Sequence, residues 1–279
     1  MRKHDDLIYD VGLHRGEDTD FYLKKGFRVV AFEADPDLAA GCRQAFADQI
    51  AAGRLTIVEG AIVRPADRTH VTFCKNETVS VWGTVDPRWR DRNERMGSTS
   101  REIEVEVVDF AACLRQFGVP HYMKIDIEGE DRVCLETLSR FDDRPDFVSM
   151  ESDKLSLEAV RAEIRIFEAL GYDRFQAVQQ VSVPNQRSPM PAREGDAVEH
   201  EFPLGASGLF GRELPGRWKS AAAMARRYRW IMVGYRVLGN DSFMRRNRLA
   251  RSIWRLLEDL SGRSLPGWHD THARHSSVG

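Results

Sequence analysis

The sequence predicts an α/β fold: a Rossmann-like, doubly wound and mostly parallel sheet, followed by a helical extension. Three observations carry this expectation. Short apolar runs alternate with amphipathic, glycine-stopped segments from Leu7 to Gly171, the pattern of repeated βαβ units. Several runs end in an acid, among them Asp10, Glu33, Asp126 and Glu151. The first run passes straight into a turn between Gly12 and Gly16 that opens a helix, and ligands of doubly wound sheets gather beyond such strand ends.

Each element follows from local chemistry. Residues 7–11 are a short apolar strand stopped by Asp10 and Gly12. Glu17, Asp18 and Asp20 then fill a first helical turn, where negative charge is favoured, and Gly26 stops that helix. Residues 28–32 are rich in β-formers and close on Glu33. Asp35 and Pro36 open a helix over 36–50, with Leu38, Cys42, Phe46 and Ile50 on one face. A third strand at 54–59 leads into Gly60, Ala61 and Ile62. Residues 71–74, 79–81 and 103–107 alternate like short antiparallel strands. Between them, residues 82–101 form an arginine-rich loop of lid-like length with Trp82, Thr84 and Trp89. Asp109 caps a helix that Gly118 ends, 122–127 is a buried strand, 130–140 a helix, and 146–150 a strand ending at Glu151. Ser156 caps a long helix closed by Gly171.

Composition narrows the class. A chain of 279 residues with 42% apolar content can bury a proper core. No leader is expected from the short polar start MRKHDD, and no apolar run is long enough to span a bilayer. Cys42, Cys74, Cys113 and Cys134 have no metal-like spacing, which points to reduced thiols and a cytoplasmic protein with no bound metal. Net charge is only −2, but residues 212–263 hold 13 Lys and Arg against 4 Asp and Glu. The expected organisation is a ligand-binding α/β domain over 1–183, a polar proline-broken linker over 184–216, and a basic helical cap over 217–279. The cap is expected as two amphipathic helices, 219–238 and 243–260, lying on the carboxyl edge of the sheet and shaping an acceptor pocket.

The glycine turn fixes the ligand type. A dinucleotide site has G-x-G-x-x-G and bare amides for a pyrophosphate. Here the turn is G-x-x-x-G, crowded by Asp10, Glu17, Asp18 and Asp20, which suits an adenosine ligand with a positive centre and no phosphate. The segments DVGLHRGEDTDFYLKKG, VVAFEADP and MKIDIEGED resemble, in that order, the motifs of the FkbM family of S-adenosylmethionine-dependent methyltransferases. Leu13 and His14 stand where that family usually has a small residue and Asn. The resemblance implies S-adenosylmethionine as cofactor, held by Asp10, Gly12, Gly16, Thr19, Glu33, Ala34, Ala61 and Asp126. It also implies transfer to a hydroxyl of a sugar, glycan or polyketide-like acceptor.

Strand alternation sends Asp126 and Glu128 to one side of a strand end, with Lys124 of the same parity beneath and Glu151 on the neighbouring strand. Carboxylates meeting there would bind a cation or share a proton, which raises one pKa, and either outcome suits proton removal from a hydroxyl; Asp126, Glu128 and Glu151 are the expected catalytic set. Glu130 and Asp131 read more plainly as first-turn residues of the next helix. His269, His272 and His275 stand at i, i+3, i+6 in GWHDTHARH; a metal site is the sharper reading, tail histidines beside a packed Trp268 the plainer one. The rival function is a non-catalytic module whose basic helices dock an acidic partner or a membrane surface. A nucleic-acid methyltransferase is disfavoured by the lack of an N-P-P-Y motif, and oligomeric state is not legible.

Overall fold

The computed structural model describes residues 2–64, 69–127, 129–152, 156–238 and 268–278. Its elements run β1 (Lys3–Val11), α1 (Glu17–Lys24), β2 (Arg28–Glu33), α2 (Pro36–Ala45), α3 (Ala47–Ala51) and β3 (Leu55–Glu59), then β4 (His70–Asn76), α4 (Pro87–Arg95), β5 (Ser100–Glu106), α5 (Phe110–Phe117), β6 (Val119–Ile125) and α6 (Asp131–Leu138), and finally β7 (Phe147–Glu151), α7 (Leu157–Ala169), β8 (Tyr172–Gln179), α8 (Ala221–Leu238) and β9 (His269–His275). Seven strands form one sheet in the order β3-β2-β1-β6-β7-β9-β8, and β4 pairs with β5 apart from it. The ladders among β3, β2, β1, β6 and β7 are parallel, whereas β9 runs antiparallel to both its neighbours. The chain reverses direction in the sheet order between β1 and β6, and that reversal places the ligand crevice.

Strand alternation divides the core between two faces. Leu7, Tyr9, Val11, Val30, Phe32, Met123, Ile125, Val148 and Met150 face a cluster completed by α5, α6, α7 and α8. Ile8, Val29, Ala31, Tyr122 and Phe147 face the other, completed by Phe21, Tyr22 and Leu23 of α1 and Cys42 of α2. The start signals act as expected: Asp35, Asp109 and Ser156 each accept a backbone N–H within the first turn of the helix they precede. All four cysteines are free and buried.

Four features differ from the sequence reading. Residues 79–81 do not form a strand; Ser80–Trp82 is a single 3-10 turn, set by Asn76, whose side-chain oxygen accepts from the Thr78 and Val79 amides. The arginine-rich loop contains α4, begun by Asp86 with Pro87 at its first position. Residues 184–216 carry little regular structure yet bury Phe202, Ala206, Leu209, Phe210 and Leu214 against α1, so hydrophobic packing holds what the polar composition marked as a linker. The histidines of GWHDTHARH lie in β9, between β7 and β8. Alternation along a strand puts His272 on the face opposite to His269 and His275, so the three do not converge. Among the described residues no group of side chains is placed to hold a metal ion.

The basic segment is likewise placed by packing. Met224, Tyr228 and Met232 of α8 join the same cluster as Val160, Ile164 and Phe167 of α7, so α8 lies on a sheet face rather than across the carboxyl edge. The Tyr228 hydroxyl meets Ser152 at 2.5 Å and Thr271 at 2.6 Å. Only towards its end does α8 reach the carboxyl edge, where the Tyr235 hydroxyl lies 2.9 Å from His269 Nδ1. The helix expected at 243–260 lies outside the described residues. No described helix is long and apolar enough to cross a membrane.

At the amino edge, His121 joins three segments. Its Nδ1 lies 2.8 Å from Asp146 and its Nε2 2.9 Å from Glu194, while Lys3 donates to Asp146 at 2.7 Å. Burial lowers the His121 pKa, but the hydrogen bonds to Asp146 and Glu194 outweigh it and raise it to about 9. A raised histidine stabilises the fold fully below its unfolded value near 6.5 and loses that contribution as pH climbs through about 9. Resistance to denaturant should therefore fall between pH 6.5 and about 9, and His121→Gln should flatten that limb; identical slopes in both proteins would refute the assignment.

Candidate functional site

A cavity of about 390 Å³ opens where the sheet order reverses. Its floor is the turn after β1. Gly12 has φ +95°, and a Cβ there would run into the Asp126 carbonyl oxygen, so β1 and β6 approach closely only because position 12 is glycine. The Gly12 and Leu13 amides donate to the Phe32 carbonyl at 3.1 and 2.9 Å, and the Asp126 amide donates to Val11 at 2.8 Å. Three strand ends are thereby tied around one point.

Lys124 sits under this floor, 5% exposed. Its Nζ donates to the Gly12 carbonyl at 2.6 Å and lies 3.3 Å from Asp10, 3.7 Å from Asp18 and 3.9 Å from Asp126. Burial works against its charge, yet Asp10, Asp126 and Asp18 carry its pKa well above that of a free lysine. Asp10 also accepts from Thr19 Oγ1 at 2.7 Å. Asp18 is raised to about 6, first by burial and further by Asp10, against the downward pull of Lys124. It accepts the Ser207 amide at 2.8 Å, so the segment 184–216 closes one side of the site.

At the end of β2, Glu33 is 9% exposed. Its two oxygens accept the Asp35 amide at 2.8 Å and the His14 amide at 2.8 Å. Burial raises its pKa, and those two amides oppose the rise. Each carboxylate oxygen can accept a second hydrogen bond. His14 takes a positive φ of 52°, a conformation that His tolerates better than β-branched residues. Its Nδ1 faces Glu17 at 3.1 Å and its Nε2 faces Ser80 at 2.8 Å. That contact fastens the Ser80–Trp82 turn, a wall of the cavity, to the glycine turn that floors it.

Of the residues singled out in the sequence, Gly12, Glu33, Ala34, Ala61, Asp126 and Glu151 line this cavity. Asp10, Gly16 and Thr19 are not among its lining residues; Asp10 and Thr19 are fully buried, and Asp10 acts on the site through Lys124. Asp126 presents a side chain 42% exposed. Glu128 lies outside the described residues. Asp131 accepts the Ile127 and Gly129 amides at 3.1 and 3.3 Å; it holds the turn after β6 in place of contacting the cavity.

Residue patterns did not single out Ser80, Val81, Leu204 and Gly205, which also line it. Leu204 and Gly205 fall in the apparent linker, whose only signal was its spaced apolar residues. The model of the methyltransferase FkbM domain matches residues 10–174. This chain belongs to the FkbM methyltransferase family. The family match spans β2 to β7 and the turns between them, leaving Leu204, Gly205 and Trp268 of the lining outside it, and the family's methyl donor is S-adenosylmethionine. Over 53 residues the chain is 47% identical to a probable ribosomal RNA small subunit methyltransferase A of Haloarcula marismortui, a stretch that is 19% of either protein; the chain thus spans about a fifth of that curated relative. A precorrin-6y C5,15-methyltransferase of Geobacter metallireducens aligns over 65% of this chain and 71% of its own, with 13% identity and a TM-score of 0.34. The StiE O-MT structure, residues 961–1257, aligns over 98% of this chain and 69% of its own, with 8% identity and a TM-score of 0.40.

The donor's chemistry fits the FkbM-type cavity. An adenosine needs a carboxylate for its ribose and apolar surface for its ring; Glu33 stands at the β2 end and Ala34, Leu38, Ala61 and Ile62 line the same side. Removing the central lysine should leave Asp10 and Asp18 buried without a counter-charge. Lys124→Met is expected to cost about 3–5 kcal/mol in denaturant unfolding at pH 8, and less at pH 5, where Asp18 takes up a proton. A loss under about 1 kcal/mol at pH 8 would mean that the network contributes little.

Proposed function

We propose that this protein transfers a methyl group from S-adenosylmethionine to a hydroxyl of a sugar, glycan or polyketide-like metabolite. The observation that carries the reading is the carboxylate of Asp126, half exposed on the cavity and standing beside the charged Lys124. When bound, S-adenosylmethionine supplies an electrophilic methyl with its leaving group already cationic, so the protein's tasks are alignment and proton removal. In this reading Glu33 accepts hydrogen bonds from the ribose hydroxyls through the lone pairs its backbone partners leave open. Ala34 and Ala61 cover the adenine ring, and Gly12 permits close approach of the methionine end. Asp10, Gly16 and Thr19 support that turn from beneath.

Asp126 accepts the acceptor's proton, and Glu151, on the next strand end, orients the acceptor. Glu128 belongs to the same motif and is kept as the third member of the catalytic proposal. Lys124 stands between Asp126 and the buried acids Asp10 and Asp18, and the Asp126 carboxylate faces the cavity, where a base is needed. O-methylation is favoured over transfer to carbon because a carboxylate suffices as base for a hydroxyl, and no further activation is demanded of the chain. A cytoplasmic setting agrees with four free, buried thiols.

Two substitutions test separate halves of the reading. Glu33→Ala should weaken binding of S-adenosylhomocysteine by about 1–3 kcal/mol in calorimetry, through loss of charge-assisted hydrogen bonds; unchanged affinity would remove the ribose role. Asp126→Asn keeps volume and removes charge. Turnover with labelled donor, measured on whichever glycan or metabolite responds in a screen, should drop by more than tenfold, about 1.4 kcal/mol of barrier. A smaller drop would take Asp126 out of the chemistry.

A further inference from the structure

The lining of the cavity is charged in one direction. Glu17, Asp18, Glu33, Asp35, Asp126 and Glu151 line it, against Lys124 as the one lysine or arginine of its described lining. Lys124 is committed to Gly12, Asp10, Asp18 and Asp126. Just outside the lining, Lys75 Nζ bonds Asp35 at 2.9 Å and also pairs with Asp37. His14 is turned to Glu17 and Ser80. The lining also includes the apolar side chains of Val81, Trp82, Leu204 and Trp268. Val81 is 48% and Leu204 73% exposed, so they stand at the mouth.

We infer that the acceptor carries no anionic group inside this cavity: it is a neutral or cationic hydroxyl compound with an apolar or aromatic face, and phosphorylated, sulfated or carboxylated acceptors are rejected. The inference rests on the methyl-transfer reading and adds a charge class to it. Two physical effects combine. An anion entering a concave, partly water-excluded site lined by an excess of carboxylates meets like charge at close range. It also gives up hydration that no described lysine or arginine of the lining restores, since the Lys124 ammonium already bonds the Gly12 carbonyl and faces three aspartates. A neutral acceptor meets neither penalty, and its apolar face covers Val81 and Leu204 at the mouth. A cation gains from the same field and from the face of an indole. Selection of this kind works largely by repulsion of the wrong ligand.

Three probes with one ring, one phenolic hydroxyl and different charge test it: 4-hydroxyphenethylamine, 4-hydroxyphenethyl alcohol and 4-hydroxyphenylacetate. Calorimetry first measures S-adenosylhomocysteine binding to the full chain, and each probe is then titrated into the saturated complex. The amine and the alcohol are expected to bind at least tenfold more tightly than the carboxylate, with the gap between amine and carboxylate narrowing in high salt. A carboxylate that binds as tightly as the alcohol would overturn the inference, as would binding by none of the three. Absence of S-adenosylhomocysteine binding would instead overturn the methyl-transfer reading, and this inference with it. Glu151→Lys should bring the carboxylate level with the alcohol, and an unchanged order in that variant would also count against the proposal. The order in the unaltered protein stands whether or not that variant folds.

Discussion

One buried lysine sets the terms for the rest of this molecule. Lys124 lies between β1, α1 and β6, and its ammonium satisfies a carbonyl of the glycine turn and faces three aspartates at once. Without it, Asp10 and Asp18 would be two buried acids with no counter-charge, and the turn over them would be left to its backbone hydrogen bonds alone. With it, the turn is pinned from below, the close approach of β1 and β6 at Gly12 is held, and the carboxylate of Asp126 is left at the surface of the cavity. A charge network that serves the fold thus also determines which acid remains available to a ligand.

Much of the fold was legible because local signals and tertiary demand agree. Asp35 before Pro36, Asp109 three residues before Ala112, and Ser156 before α7 each name a helix start that the backbone then uses. The acids that close β2 and follow β6 were legible as candidates for a similar reason, since an ionisable group at the end of an apolar run needs a purpose or a partner, and both line the cavity. Lys124 was visible by strand parity alone, and its distances to Asp10 and Asp126 agree with that parity.

What was not legible depends on partners distant in the chain. HDTHARH alternates too weakly to declare a strand, and its burial comes from insertion between β7 and β8, whose edges supply the hydrogen bonds. Residues 202–214 look like a turn-rich tether, yet Phe202 and Phe210 pack on Phe21 with ring centroids 4.7 and 6.3 Å apart. The Ser207 amide, Leu204 and Gly205 reach the site on the strength of that packing. Backbone amides and loop leucines carry no residue-type signal for a site, so only their position in space reveals them.

The placement of β9 has a consequence for how the chain reaches its native state. Nearly ninety residues separate the end of β8 at Gln179 from the start of β9 at His269, and β7 and β8 meet only through that strand. While a ribosome is still delivering the chain, β7 and β8 present long rows of unpaired amides and carbonyls to any strand that happens by. Apart from Trp268, the lining of the acidic cavity comes from segments already synthesised, but the sheet beside it stays open until residues 269–275 emerge. Long-range closure of this kind is slow relative to local helix formation, which makes the nascent molecule most exposed to misassociation at the moment its ligand site is nearly complete.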